Sequence, residues 1–280
     1  MTEKNFSEYT TRLLSNDKEL AYAINTMRVK VTAYILDNNL KSIVLGISGG
    51  IDSAFAAALL RPVCDNTNTK LIGRSITIET NTAEEISRAN TVGLAFCHDY
   101  KYLDYTDIYL KYKVLLPDLD DKPLSKLRMG NAKARFRMMA LYDLAQLNKG
   151  LVISTDNYTE YLTGFWTLHG DVGDYAPFIN LWKTEVYACA NYLCKNLPNA
   201  QAEALKLCIN AIPTDGLGIS TSDLEQLGED SYADVDNILI QYIKGNTDLE
   251  HNMLIQRYIN SEYKRKIPIQ INRSTLFFKE

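Results

Sequence analysis

The sequence predicts an α/β fold, a doubly wound parallel sheet flanked by helices with a helical C-terminal part, on three observations. Short apolar runs without alternation, such as Ile43-Val44-Leu45-Gly46-Ile47, suit strands covered on both faces. Each run is followed by a stretch with helical spacing, the sequence sign of parallel strands joined by crossover helices. Beyond Thr155 this alternation stops, and helical patterns dominate to near the C-terminus.

In chain order, Leu20, Ile24, Met27, Val31 and Ile35 form the apolar stripe of an N-terminal helix that Asn16 or Asp17 caps. The strand Ile43–Ile47 passes through glycines into an alanine-rich helix over Asp52–Leu60. A strand over Lys70–Ile78, a helix from Thr82 whose Glu85 completes a capping box, and a strand over Tyr100–Leu103 repeat the pattern. A second helical stretch, the polar loop Pro117–Ser125, a long helix over Asn131–Leu147 and a strand over Leu151–Ser154 follow, with right-handed crossovers expected. Thr155–Leu181 reads as one long irregular stretch, and a loop of that length in a compact domain is usually functional. Helices over Lys183–Lys195 and Ala200–Asn210, a glycine-containing loop from Pro213, helices over Tyr232–Lys244 and Thr247–Tyr263, and a basic, strand-like tail complete the chain. With no repeat, low-complexity tract or linker, a single domain over 1–280 is expected: an N-terminal helix in 1–42, a core over 43–215 and C-terminal helices and tail over 216–280.

At 280 residues, 46% hydrophobic and 23% charged, the chain can bury a large core, which excludes disorder as its main state. A net charge of -4 and a pI near 5.5 have the wrong sign for gripping nucleic acid over the whole surface. No basic segment leads into an apolar run at the N-terminus, and no stretch of about 18 uncharged apolar residues occurs, so neither signal peptide nor membrane span is expected. The cytoplasm is the expected compartment. Cys64, Cys97, Cys189, Cys194 and Cys208 include no C-x-x-C pair and no histidine at metal spacing, so they read as reduced structural thiols.

The sharpest motif is Ser48-Gly49-Gly50-Ile51-Asp52-Ser53, after an apolar strand and before a helix. Glycines let backbone N–H groups close on an oxyanion, and the helix start adds its positive dipole end, so the loop suits a phosphate. There is neither a G-K-[ST] lysine nor a G-x-G-x-x-G fingerprint; two hydroxyls flank the glycines, and Asp52 is placed to hold a hydrated Mg²⁺ against phosphate oxygens. A plain strand-to-helix turn with an Asp or Ser cap has the same composition.

This S-G-G-x-D-S loop resembles the pyrophosphate loop of the N-type ATP pyrophosphatases, which cleave ATP between the α and β phosphates and transfer AMP to an acceptor. Gly130-Asn131-Ala132-Lys133-Ala134-Arg135-Phe136-Arg137-Met138 is similar to the G-N-x-K-A-R-x-R-M segment of the NAD synthetases. Thr155-Asp156, Glu160, Thr163-Gly164-Phe165, Gly170-Asp171 and Asp174 follow the order of that family. So do Lys183, Pro213-Thr214, Leu227-Gly228 with Tyr232 and Asp236, and Ser261-Glu262-Tyr263-Lys264-Arg265.

The resemblance to ammonia-dependent NAD synthetases implies a Rossmann-like ATP pyrophosphatase fold and a C–N ligase. It would amidate deamido-NAD (nicotinic acid adenine dinucleotide) with ammonia through an adenylated intermediate, giving NAD, AMP and pyrophosphate. It implies ATP contacts at Gly46, Ile47, Ser48, Gly49, Gly50, Ile51, Asp52, Ser53, Thr155, Lys183 and Thr214, and Mg²⁺ ligands at Asp52 and Glu160. Lys183 would offset phosphate charge, and Asp171 would organise ammonium or accept its proton. Deamido-NAD contacts carry over to Arg135, Leu168, Asp174, Tyr263 and Lys264.

Departures cluster around this second substrate: Leu168-His169 stand where bacterial members carry Lys-Tyr, Gly170–Asp174 is one residue short, and Tyr263 replaces a histidine. Residues 1–42 are too few for the amidase domain of glutamine-dependent relatives, so no glutaminase module is expected. A homodimer binding the dinucleotide across its interface is implied. Two alternatives stay open: a tRNA-modifying ATP pyrophosphatase, disfavoured by the acidic balance and scattered cysteines, and a non-catalytic nucleotide-binding descendant, disfavoured by Asp52, Glu160 and Lys183 together.

Overall fold

The computed structural model describes residues 9–276 except 121, 215 and 267. An N-terminal helix α1 (Asp17–Asp37) precedes β1 (Ser42–Gly46), α2 (Ile51–Thr67), β2 (Lys70–Thr77), α3 (Ala83–Phe96) and β3 (Asp99–Asp104). Then come α4 (Thr106–Lys113), α5 (Pro123–Leu147), β4 (Gly150–Val152), α6 (Tyr158–Thr163), α7 (Lys183–Cys194) and α8 (Asn199–Ile209). The C-terminal part holds α9 (Asp223–Leu227), α10 (Tyr232–Ile243) and α11 (Met253–Asn260), with 3-10 turns at Thr247–Leu249, Glu262–Lys266 and Arg273–Leu276.

The four strands are parallel in the order β3-β2-β1-β4. Alternation along β1 shows why it reads as a continuous apolar run. Ile43, Leu45 and Ile47 point into a core shared with α1, α2, α3, α7 and α8, while Val44 points the other way, onto Tyr109 of α4 and Met138, Leu141 and Ala145 of α5. Helices therefore cover both faces, as expected. Chain order runs one way from β1 to β3 and the other way to β4, so the switch point lies between β1 and β4, where open α/β sheets bind ligands beyond their carboxyl ends. A third apolar cluster, built on Val235, Leu239, Leu254 and Ile255, is the core of the helical C-terminal part.

Local chemistry explains the element ends. Asn16 accepts from the Glu19 amide and caps α1, and Thr82 and Glu85 form the capping box expected at α3. Four features differ from the sequence expectation. Helix α5 starts at Pro123, a residue suited to the first helical position, and not at Asn131; Gly130 lies inside it, where a Cβ would come within 3.0 Å of the Ile219 side chain. The stretch Thr155–Leu181 contains the short helix α6, opened by Asn157 and Glu160 in a second capping box. The expected helix Thr247–Tyr263 is divided, because the Asn246 and Asn252 side chains each accept from backbone amides and start new turns. The tail takes a 3-10 turn at Arg273–Leu276, and no strand follows β4 among the described residues.

Candidate active site

The Ser48–Ser53 loop follows β1, and the segment Ser154–Asn157 follows β4, so the switch point brings the two together. Gly49 has φ +85°, and a Cβ there would lie 2.4 Å from the Glu85 carbonyl oxygen, so only glycine fits without a shift. The loop is also tied internally: Ser53 Oγ donates to the Gly50 carbonyl at 3.1 Å, and the Gly50 amide donates to Ser48 Oγ at 3.2 Å. Arg88 Nε donates to the Gly49 carbonyl from outside. Gly50 then caps α2 without any side-chain bond, and Asp52 lies in the first turn of that helix.

A cavity of about 400 Å³ opens over this loop. Gly46, Ile47, Ser48, Gly50, Ile51, Asp52 and Ser53 line its floor, and Thr155, Glu160, Asp171, Lys183 and Thr214 line its walls with Tyr263 and Lys264. Gly49 packs behind the floor against α3. Thr214 Oγ1 donates to Glu85 Oε1 at 2.6 Å, holding the Pro213 loop to the start of α3.

At the centre, the Lys183 ammonium donates to Asp52 Oδ2 at 2.6 Å and to Glu160 Oε1 at 2.9 Å. Asp52 Oδ1 accepts from Asn157 Nδ2, and Glu160 Oε2 from the Asn157 amide, so one capping residue steadies both carboxylates. Lys183 is 2% exposed. Burial alone would lower its pKa, but Asp52 and Glu160 outweigh that cost and hold the ammonium charged. Burial pushes the Glu160 carboxyl up, and the Lys183 charge opposes it.

Deeper in the cavity, Asp156 is buried with its carboxylate on Ser154 Oγ at 2.8 Å, and Asp171 accepts from the Thr167 amide at 2.6 Å. Burial raises both pKa values; for Asp156 the charges of Asp171, Glu160 and Asp52 add to it. Lys264 donates to the carbonyls of Gly164 and Trp166, at 2.7 and 2.5 Å.

The remaining dinucleotide candidates lie outside this cavity. Because α5 begins at Pro123, Arg135 lies well along the helix and not at an anion-binding start; it is exposed, and its Nε donates to the Leu168 carbonyl. Asp174 accepts from the Val152 amide at 2.9 Å and borders a separate recess with Thr26, Met27 and Lys30 of α1. Of the cavity residues that the sequence leaves without a role, two stand out, Arg137 and Asp156. Arg137, two residues beyond Arg135, bonds the Ile76 carbonyl and Asn81; a two-residue step on a helix turns the side chain to another face, which spacing alone could have signalled. Asp156 belongs to the Thr155-Asp156 pair of the family pattern, but that pattern gives it no role of its own. Among the described residues, no group of three or more His, Cys, Asp and Glu side chains is set to enclose a metal, and no helix is long and apolar enough to cross a membrane.

Residues 23–274 match the family NAD synthase. The NH(3)-dependent NAD(+) synthetase of Thermococcus sibiricus is 32% identical over 246 residues, covering 83% of this chain and 90% of that protein. Among solved structures, an NMN synthetase from Francisella tularensis superposes with a TM-score of 0.74 at 25% identity, over 92% of this chain and 100% of that one. The NH3-dependent NAD synthetase of Campylobacter jejuni, solved with a nitrate ion, shares the fold with a TM-score of 0.67 at 22% identity, over 92% and 100% of the two chains. With the glycine loop at the switch-point cleft and a sequence match over nearly the whole length, the chain belongs to the NAD synthase family, ligases that make NAD with ammonia.

Proposed function

We propose that the protein adenylates the nicotinate carboxylate of deamido-NAD with ATP and then transfers the acyl group to ammonia. A carboxylate is a poor acyl donor because its oxygen does not leave readily. Attack of that oxygen on the α phosphorus expels pyrophosphate and turns the oxygen into part of a good leaving group. Ammonia then attacks the carbonyl carbon, the bond to AMP breaks, and nitrogen loses a proton. The observation that carries this reading is the Lys183 ammonium between Asp52 and Glu160, at the mouth of a pre-tied phosphate loop.

In this reading the Gly46–Ser53 segment, Thr155 and Thr214 hold ATP, and Lys183 offsets charge as pyrophosphate departs. Asp52 and Glu160 would hold Mg²⁺: two hard carboxylates already converge on one cation, each oxygen keeps a further lone pair, and phosphates and water would complete the coordination. When bound, the metal would neutralise phosphate charge. Asp171, half-buried in the cavity wall, would take the proton that ammonium sheds. Arg135, Leu168, Asp174, Tyr263 and Lys264 would contact deamido-NAD.

A homodimer accommodates this spread. Tyr22, Val29 and Leu36 are exposed on α1, whose opposite stripe fills the core, and the Asp174 recess adjoins the same helix. The five cysteines are free and mostly buried, in keeping with a reducing compartment such as the cytoplasm. ATP, Mg²⁺, ammonium and deamido-NAD should give AMP, pyrophosphate and NAD in equal amounts; bound ATP without NAD formation would sink the reading. A second reading is favoured by the Francisella NMN synthetase likeness and by Arg135, Leu168 and Asp174 lying outside the cavity: the acceptor is the mononucleotide acid. The same assay with nicotinic acid mononucleotide, scored for NMN, separates the two.

A further inference from the structure

The geometry points to Asp236, on α10, as a positioning residue for the Lys183 ammonium, so that the C-terminal helical part sets the rate of the phosphate chemistry. The inference rests on the role given above to Lys183.

Asp236 is 1% exposed and fully engaged. Its Oδ1 accepts from Thr159 Oγ1 at 2.5 Å, and its Oδ2 accepts from the Thr184 amide at 3.0 Å and from Thr184 Oγ1 at 2.7 Å. Thr159 Oγ1 in turn accepts from the Lys183 amide at 2.9 Å. One carboxylate therefore fixes the backbone on both sides of the Lys183 Cα, together with the residue preceding Glu160. One turn earlier on α10, the Tyr232 ring lies 5.0 Å from Lys183 Nζ, and its hydroxyl donates to Asp223 Oδ2 at 3.1 Å.

Anchoring α10 does not require a buried acid, because Val235, Leu239 and Ile240 already seat it in an apolar cluster. A buried carboxylate is expensive, and its return here is direction. A lysine stem is flexible, and only a fixed starting point aims its end between Asp52 and Glu160.

The test uses the full chain. Asp236→Asn keeps the shape but presents an amide to the Thr184 donors. Turnover should fall about 10- to 100-fold, the loss expected from a displacement of about 1 Å, while KM for ATP changes less than about twofold. In a Lys183→Met background, the same change should cost nothing further, since the group it aims is gone. Leu239→Ala, on the apolar face of α10, should lower Tm and leave kcat unchanged. Should Asp236→Asn not fold, Thr184→Val removes one donor and should still lower kcat several-fold, and Thr159→Ser should retain activity. Unchanged kcat in Asp236→Asn or Thr184→Val, an additive loss in the Lys183→Met background, or an equal kcat loss in Leu239→Ala would overturn the proposal. Wild-type protein inactive on both acceptors would overturn the functional reading instead.

Discussion

The proposed phosphate floor and the proposed dinucleotide contacts are built in opposite ways. The floor is one continuous segment, Gly46–Ser53, whose shape is held by its own hydroxyls and carbonyls and by a glycine that admits no side chain. The dinucleotide candidates come from α5, the Thr155–Leu181 stretch and the turn after α11, and only Tyr263 and Lys264 reach the same cavity. A phosphate presents the same oxygens in every nucleotide, so backbone amides suffice for it. An acceptor is distinguished by its whole outline and requires side chains drawn from several elements.

The largest expected effect lies on the floor. Asp52→Ala removes one partner of the Lys183 ammonium and one proposed metal ligand, and NAD formation should fall about 10³-fold with circular dichroism unchanged. A mild loss would mean that the central ion pair is structural. Next, Gly49→Ala forces a Cβ onto the Glu85 carbonyl at positive φ; a strain of about 1–3 kcal/mol should weaken ATP binding by roughly tenfold or more, measured by calorimetry.

On the other side of the comparison, Arg135→Ala should raise KM for deamido-NAD by about tenfold, the worth of one lost charge-assisted contact, and leave KM for ATP alone. A matched rise for ATP would show that the two halves are not separate. The smallest effect is on stability. Burial, with the neighbouring carboxylates, raises the Asp156 pKa, so the folded state holds this proton more tightly than the unfolded chain. Its contribution is full below the unfolded value of about 3.9 and is lost as pH rises through the folded value. Asp156→Asn should therefore match the wild type in Tm near pH 4 and exceed it at pH 7 to 8; equal Tm values throughout would show that Asp156 is ionised in the fold.

Sequence spacing reveals what is local. The strand-loop-helix at Ile43–Leu60, the Thr82–Glu85 capping box and the α1 stripe all express neighbouring residues, and all three stand in the structure. The ion pair between Lys183 and Asp52 joins residues 131 apart, and only a family pattern could set them in one site. Gly130 misplaced the start of α5 because glycine weakens a helix in isolation, whereas here it admits the Ile219 side chain. Helix α6, six residues long, lies below the length at which periodicity is visible.

Glu85 touches both boundaries of the cleft. Its backbone carbonyl backs Gly49 in the floor, and its side chain clasps Thr214 in the loop at the rim. For the rim to swing away, the Thr214–Glu85 bond must break, and that bond is made by the residue whose backbone supports the floor. With Glu85 as the shared support, amide deuteration at Gly50 and at Thr214 should slow together when ATP is added.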